Sequence, residues 1–260
     1  MDLRNIHPEA KIGKNVTIEP FATIEKDVVI GDNTWIGPNA CIMNGARIGK
    51  NCQIHPGAVV SGTPQDLKFE GEESTLEIGD NTIVREFCTL NRGTKANGTT
   101  KIGSNCLLMA YVHIAHDCEI GDHCVLANNA TLAGHIIVGN WVTIGGKVAI
   151  HQFVKIGDHV MIGGGSLVRK DIPPYVKAAR EPLSYVGVNS IGLKRRGFSA
   201  DQIHRMQDIY RLLFVHGKNY NSALEVIREE VETSEEKESI LHFLEQSERG
   251  VLKGFTAVNK

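Results

Sequence analysis

Nowhere does this chain approach the roughly 18 consecutive apolar residues that a membrane-crossing helix needs, and its first residues, MDLRNIHPEA, lack the apolar stretch of a secretory signal. Both absences predict a cytoplasmic protein with no membrane span. An excess of one charge is missing too. The 28 lysines and arginines stand against 30 aspartates and glutamates, a net charge of −2 that gives no footprint for nucleic acid. Cysteine is sparse, at six residues, and its meaning depends on where each one falls. With 260 residues, 42% of them hydrophobic, the chain can form one large domain or one domain with a smaller appendage.

What the chain does have is a beat of six. Ile6, Ile12, Ile18, Ile24, Ile30, Ile36, Ile42, Ile48, Ile54 and Val60 follow one another without a break. The beat returns at Ile78, Val84 and Leu90, and runs again from Ile102 to Val168. A period of six fits neither a helix nor an isolated strand. It matches the hexapeptide β-helix, in which each unit is a short strand plus a turn and the stacked coils share one aliphatic core. Four residues after each aliphatic position the side chain is usually small or β-branched, and Cys52, Cys88, Cys106, Cys118 and Cys124 all occupy that slot. These cysteines therefore read as small buried hydrophobes, not as ligands or nucleophiles.

Two interruptions mark protruding loops. Twelve extra residues separate Val60 from Ile78, around SGTPQDLKFEGEEST, and six extra separate Leu90 from Ile102, around TKANGT. Counting hexads in threes then places Val60, Leu90, Ile114, Leu132 and Ile150 in one column, with both loops opening beside it. His113, His116, His135 and His151 fall on or next to this column. Coils stack at about 4.8 Å, so His116, His135 and His151 are expected to climb in steps of that size. A polar column beside two loops is how a cleft is built, and histidine suits general-base work near neutrality. Asp117 is a candidate to orient His116, although adjacent residues of a strand usually point apart. A zinc enzyme on the same scaffold, with His116, His135 and His151 as ligands, is the rival reading.

The motifs QDLK (Gln65 to Lys68), HIAHDC (His113 to Cys118), LANNATLAGH (Leu126 to His135), HQF (His151 to Phe153), DIPPYV (Asp171 to Val176) and GLKRRGF (Gly192 to Phe198) together resemble the UDP-N-acetylglucosamine O-acyltransferase family of lipid A biosynthesis. The resemblance implies a mainly β fold, a left-handed parallel β-helix of hexapeptide repeats over residues 1–189, then a small helical domain over 190–260. It implies transfer of an (R)-3-hydroxyacyl group from acyl carrier protein to the glucosamine 3-hydroxyl of UDP-N-acetylglucosamine by a homotrimer with sites between subunits. No cofactor of its own is implied, since 4′-phosphopantetheine arrives on the carrier protein, and no metal.

Carried over position by position, the resemblance makes His116 the general base, with Asp117 beside it and the Gly134 N–H facing the oxyanion. Asp66 and His135 hold the sugar, with Gln65 nearby, while His113, His151 and Gln152 line the nucleotide and pantetheine side. Arg195, then Arg196, meet the pyrophosphate, and Asn189 partners the nucleotide. Gly164, with Met161 close by, sets acyl length, and glycine there predicts a chain on the order of 14 carbons or more. Two positions depart from the family: Asn91 stands where histidine is frequent, and Ile191 where an acidic residue can occur.

After Val168 the Pro173–Pro174 pair is expected to stop the hexads. Ser199 and Gln202 read as a capping box. Helices are expected over IHRMQDIYRLLFVHG, ending at Gly217, and over SALEVIREEVE and SEEKESILHFLEQSERG. Lys194, Arg195, Arg196 and Arg205 could meet the acidic carrier protein.

Overall fold

The computed structural model describes residues 3–214 and 220–254. Among the described residues the chain winds as a three-faced prism whose three sheets, parallel through the coils, have nine, eight and eleven strands. We name them faces A, B and C. Face A begins with Asn5–Ile6, face B with Lys11–Ile12 and face C with Thr17–Ile18, and each later strand stacks on the one a coil earlier, as Ile6 on Ile24. Most strands are two residues long because the chain must turn again four residues later.

The aliphatic beat points inward. Ile36, Ile54, Leu90, Ile114, Leu126, Leu132 and Ile144 are all fully buried, and one core runs the length of the prism. Each such side chain contributes about 1.5–3 kcal/mol by leaving water. Cys52, Cys88, Cys106, Cys118 and Cys124 lie in the same core, as their slot in the repeat requires. Burial pushes the thiol of Cys88 up to about 11 and that of Cys118 up to about 12, so neither is a nucleophile near neutral pH.

The loops fall where the count places them. Val60 pairs with Leu90 across Val59–Gly62 and Thr89–Asn91, and Ile48, Ile78 and Ile102 share a column on face B. Residues 63–74 and 92–98 therefore both leave the prism at the corner between faces A and B. At most corners the third turn residue adopts a left-handed φ, for example +58° at Asn81 and +59° at Asp117. That conformation suits asparagine and strains most other side chains.

The six-residue count ends at Val168, but the coil does not stop at the prolines. Ile172 bridges to Ile156, and Val176–Ala179 continues face C by pairing Ala178 with Ile162, two residues short of a full coil. Proline lacks an N–H, yet this corner survives because the Tyr175 N–H still reaches Asp158 O at 2.8 Å. Ser184–Val188 then turns back antiparallel and takes Lys253–Gly254 as a parallel neighbour.

Among the described residues four helices follow: α1 Ser190–Arg195, α2 Ala200–Phe214, α3 Tyr220–Glu230 and α4 Glu235–Glu245. The expected capping box is formed in both directions. Ser199 N–H meets Gln202 Oε1 at 2.9 Å, and Gln202 N–H meets Ser199 Oγ at 3.2 Å. The expected stop at Gly217 lies outside the described residues. Helix α1 was not legible as a helix, because GLKRRGF carries no apolar period; Asn189 starts it by accepting the Gly192 N–H. Among the described residues, no helix is long and apolar enough to cross a membrane.

Candidate active site

The A–B corner brings together His116, Asp117, Gly134 and His135. His116 Nδ1 lies 2.8 Å from Asp117 Oδ2. Neighbours in a strand would diverge, but Asp117 has the left-handed φ of the corner, which turns its side chain back to the imidazole. Asp117 is 1% exposed. Burial works against its charge. Hydrogen bonds from the Thr94 N–H, His116 and the Thr94 hydroxyl, together with the nearby His135, outweigh it and hold the carboxyl below its usual range. An ionised carboxylate only accepts, so the His116 proton sits on Nδ1 and Nε2 presents a lone pair.

Gly134 lies one coil above His116. A Cβ there would stand 2.7 Å from His116 Cε1, so only glycine lets the ring lie against the next coil. Among the described residues the Gly134 N–H meets no protein acceptor, unlike corner amides such as Asn140 N–H, which Asp158 Oδ1 takes at 2.6 Å.

His135 crosses His116 edge to face at 5.1 Å, with its Nε2 3.8 Å from Asp117 Oδ2. Burial first, then the neighbouring His116, lower its proton affinity, while Asp117 and Asp66 oppose them. Asp66 belongs to the first loop, which leaves the prism at this corner. One Asp66 oxygen accepts the Lys68 N–H at 3.0 Å, and Gln65 stands exposed next to it. His113 faces outward from face A in the coil of His116, where Thr89 Oγ1 meets its Nδ1 at 2.7 Å.

The expected climb of three histidines is corrected. The third step of the ladder is Phe153, stacked on His135 at 4.7 Å. Residues 117, 135 and 153 lie 18 apart, whereas His151 belongs to a neighbouring column and bonds the Gln152 carbonyl at 3.1 Å. The rival zinc set of His116, His135 and His151 therefore does not assemble in this chain. His116, Asp117 and His135 do lie within 4.8 Å of one another. Asp117, however, already accepts from Thr94, Asn97 and His116, so its oxygens orient protein groups.

Comparison with known proteins gives this corner its setting. The family described as Udp N-acetylglucosamine O-acyltransferase, domain 2, matches residues 171–252, and the bacterial transferase hexapeptide repeat matches 27–62 and 99–134. The acyl-(acyl-carrier-protein)--UDP-N-acetylglucosamine O-acyltransferase of Sulfurihydrogenibium sp. is 52% identical, over 95% of this chain and 93% of its own. That of Trichlorobacter lovleyi is 50% identical over 96% and 97%. Among solved structures, the UDP-N-acetylglucosamine acyltransferase of Bacteroides fragilis has a TM-score of 0.96 and 50% identity, covering 97% of this chain and 99% of that one.

The chain belongs to the UDP-N-acetylglucosamine O-acyltransferase family. The remaining expected site residues of this acyltransferase lie elsewhere on the prism. Asn189 is buried at the B–C corner, where its Nδ2 meets His159 O at 2.9 Å. Arg196 lies over the Trp141 ring at 5.3 Å with Nη1 3.4 Å from His159 Nδ1, and Arg195 is exposed beside it. Met161 is on face C and Gly164 on the C–A corner. None of these shares the His116 corner within one chain. Arg205 pairs with Glu236 at 3.6 Å, while Lys194 is exposed. Ile191 is 69% exposed. Asn91 is 4% exposed and anchors the first loop, its Nδ2 donating to Thr63 O at 3.1 Å.

Sequence reasoning missed Thr94, which gives the Asp117 carboxylate two hydrogen bonds. A threonine in a loop carries no periodic signal.

Proposed function

We propose that this acyltransferase moves a long (R)-3-hydroxyacyl group from acyl carrier protein to the 3-hydroxyl of UDP-N-acetylglucosamine, the first step of lipid A biosynthesis. His116 is the general base. Its Nε2 takes the hydroxyl proton as the sugar oxygen attacks the thioester carbon, and the Gly134 N–H faces the oxygen that becomes negative. Collapse of the tetrahedral intermediate expels the phosphopantetheine sulfur, which takes the proton back from His116. No covalent enzyme intermediate is formed. The observation that carries this reading is the 2.8 Å His116–Asp117 pair, with an ionised carboxylate, on the corner where both loops emerge.

Asp66, Gln65 and His135 hold the sugar, and His113, His151 and Gln152 line the adjoining wall. Asn189, Arg195 and Arg196 hold the nucleotide, and Gly164 with Met161 sets acyl length. Because these last five lie away from the His116 corner of their own chain, a second chain supplies them, and the assembly is a homotrimer. Phe87 and Tyr111, stacked at 5.4 Å and each more than half exposed on the C–A corner, offer apolar surface for a neighbour to cover.

The test is acyl transfer by wild type and His116→Ala with a panel of hydroxyacyl carrier proteins of different chain length. Wild type should prefer chains on the order of 14 carbons, and His116→Ala should lose about 10²–10⁴-fold in kcat with an unchanged unfolding midpoint. Near-normal turnover in the variant would remove His116 from this role, and a short-chain preference would remove Gly164.

A further inference from the structure

Asp117 does more than touch His116: the second loop is built onto its carboxylate. Thr94 N–H reaches Oδ1 at 3.0 Å, Asn97 N–H reaches the same oxygen at 3.3 Å, and Thr94 Oγ1 reaches Oδ2 at 2.7 Å. The last of these shares its acceptor with His116 Nδ1, at 2.8 Å. The hydroxyl has a defined direction, because Thr94 Oγ1 accepts the Ala96 N–H at 3.3 Å and so turns its own proton to Asp117. Thr94 is 6% exposed.

The loop that carries Thr94 is fixed at both ends and to its neighbour. Gly93 N–H donates to Thr75 O and Thr75 N–H to Gly98 O, at 3.0 and 2.9 Å. Lys95 N–H donates to Glu72 Oε1 of the first loop at 3.0 Å, and the Arg92 guanidinium lies 5.4 Å over the Phe69 ring of that loop. The two loops thus form one frame, and Thr94 is its contact with the carboxylate behind His116.

We propose that Thr94 is a positioning residue for acyl transfer, holding the Asp117 carboxylate in one rotamer and taking up part of the charge on Oδ2 that would otherwise face His116. This rests on the reading of His116 as base. With the hydroxyl present, the imidazole is aimed and the imidazolium formed during transfer is bound less tightly, so it returns its proton to the leaving sulfur. Without it, Oδ1 stays held by the Thr94 and Asn97 N–H groups but Oδ2 keeps only the His116 donor, so more of its charge faces the imidazolium and the proton is released less readily. The other ionisable groups facing His116 are His135, with Nε2 3.8 Å from Oδ2, and Asp66, whose charge reaches His135. Thr94→Val leaves both in place.

The experiment compares Thr94→Val, Thr94→Ala and Thr94→Ser with wild type and His116→Ala, in kcat, KM for each substrate, and kcat against pH. Thr94→Val and Thr94→Ala should lose about 10- to 100-fold in kcat with each KM within about twofold. The acidic limb of the pH profile should move up by about half a unit, as expected when a neighbouring hydrogen bond to the carboxylate is lost. Thr94→Ser, which keeps the hydroxyl, should restore both. The proposal is overturned if Val and Ala variants keep wild-type kcat, or if the Ser variant is as impaired as they are with the limb unmoved, which marks a merely structural role. Should Thr94→Val unfold, Thr94→Ala against Thr94→Ser decides alone. An inactive His116→Ala beside an unaffected Thr94→Val defeats only this proposal, whereas an active His116→Ala defeats the base reading itself.

Discussion

Asp117 and His135 on corner A–B have the same left-handed φ as Asn81 and His123 on corner B–C, yet the two corners are built differently around it. At B–C the repeat satisfies its own polar groups. Asn15, Asn33, Asn51 and Asn81 bond side chain to side chain at 3.2–3.3 Å, and Asp32 and Asp80 each take a backbone N–H from the coil before at 2.7 Å. Higher up the ladder becomes aromatic, with His123 on Trp141 at 3.9 Å and Arg196 over the same indole. At A–B the two loops interrupt the ladder, so unlike residues meet: an imidazole above a carboxylate, and a glycine where a side chain would clash. Where the repeat is strict, its corner polar groups are taken up by the neighbouring coil. The broken repeat leaves the Gly134 N–H and the His116 Nε2 without a protein partner among the described residues, as the proposed chemistry requires.

The largest test of this contrast asks whether the two corners serve one site across a subunit boundary. His116→Ala and Arg195→Ala chains should each be nearly inactive, and coexpressed chains should recover roughly a quarter of wild-type activity if trimers assemble at random. Mixtures that stay at background would break the proposed sharing. Next is Gly134→Ala. Its Cβ would stand 2.7 Å from His116 Cε1, so the ring must move, and a displacement near 1 Å costs about 100-fold in kcat. An unchanged kcat would show that the ring position does not matter.

The smallest effect is on acid stability, and both corners take part. His113, His135 and His159 have lowered proton affinity, mainly through burial, and His159 is brought down to about 4. The unfolded chain binds these protons near pH 6.5, whereas the folded chain resists them. Their contribution to stability is therefore complete above about pH 6.5 and is lost as pH falls towards 4. Urea midpoints should drop between pH 7.5 and 5, and His159→Gln should flatten part of that slope; an unaltered slope would remove His159 from the account.

Much of this could be read before any coordinates. The six-residue beat placed the repeating aliphatic core of the prism and the buried cysteines, and the two excess lengths put both loops on the corner of His116. What could not be read was direction. The sequence pattern could not decide whether Asp117 faces His116, because that depends on one left-handed φ. It placed His151 as the third rung, although 18-residue stacking puts Phe153 there. It ended the hexads at Pro173–Pro174 and did not show that one shorter coil follows, held by the Tyr175 N–H. It was silent on Thr94 and on α1, since a loop and a six-residue helix have no period to detect.

The sequence by itself determined a hexapeptide prism, its loops and a histidine-rich edge, because periodic burial of aliphatic side chains is a property of spacing alone. Only the tertiary structure decided which groups touch. Hydrogen bonds and ring contacts act over about 3–5 Å, a scale set by the turn of each corner and the stacking of coils 18 or more residues apart. At that scale a carboxylate held by Thr94 and Asn97 fixes one imidazole, while the arginines expected for the same chemistry stand on another edge.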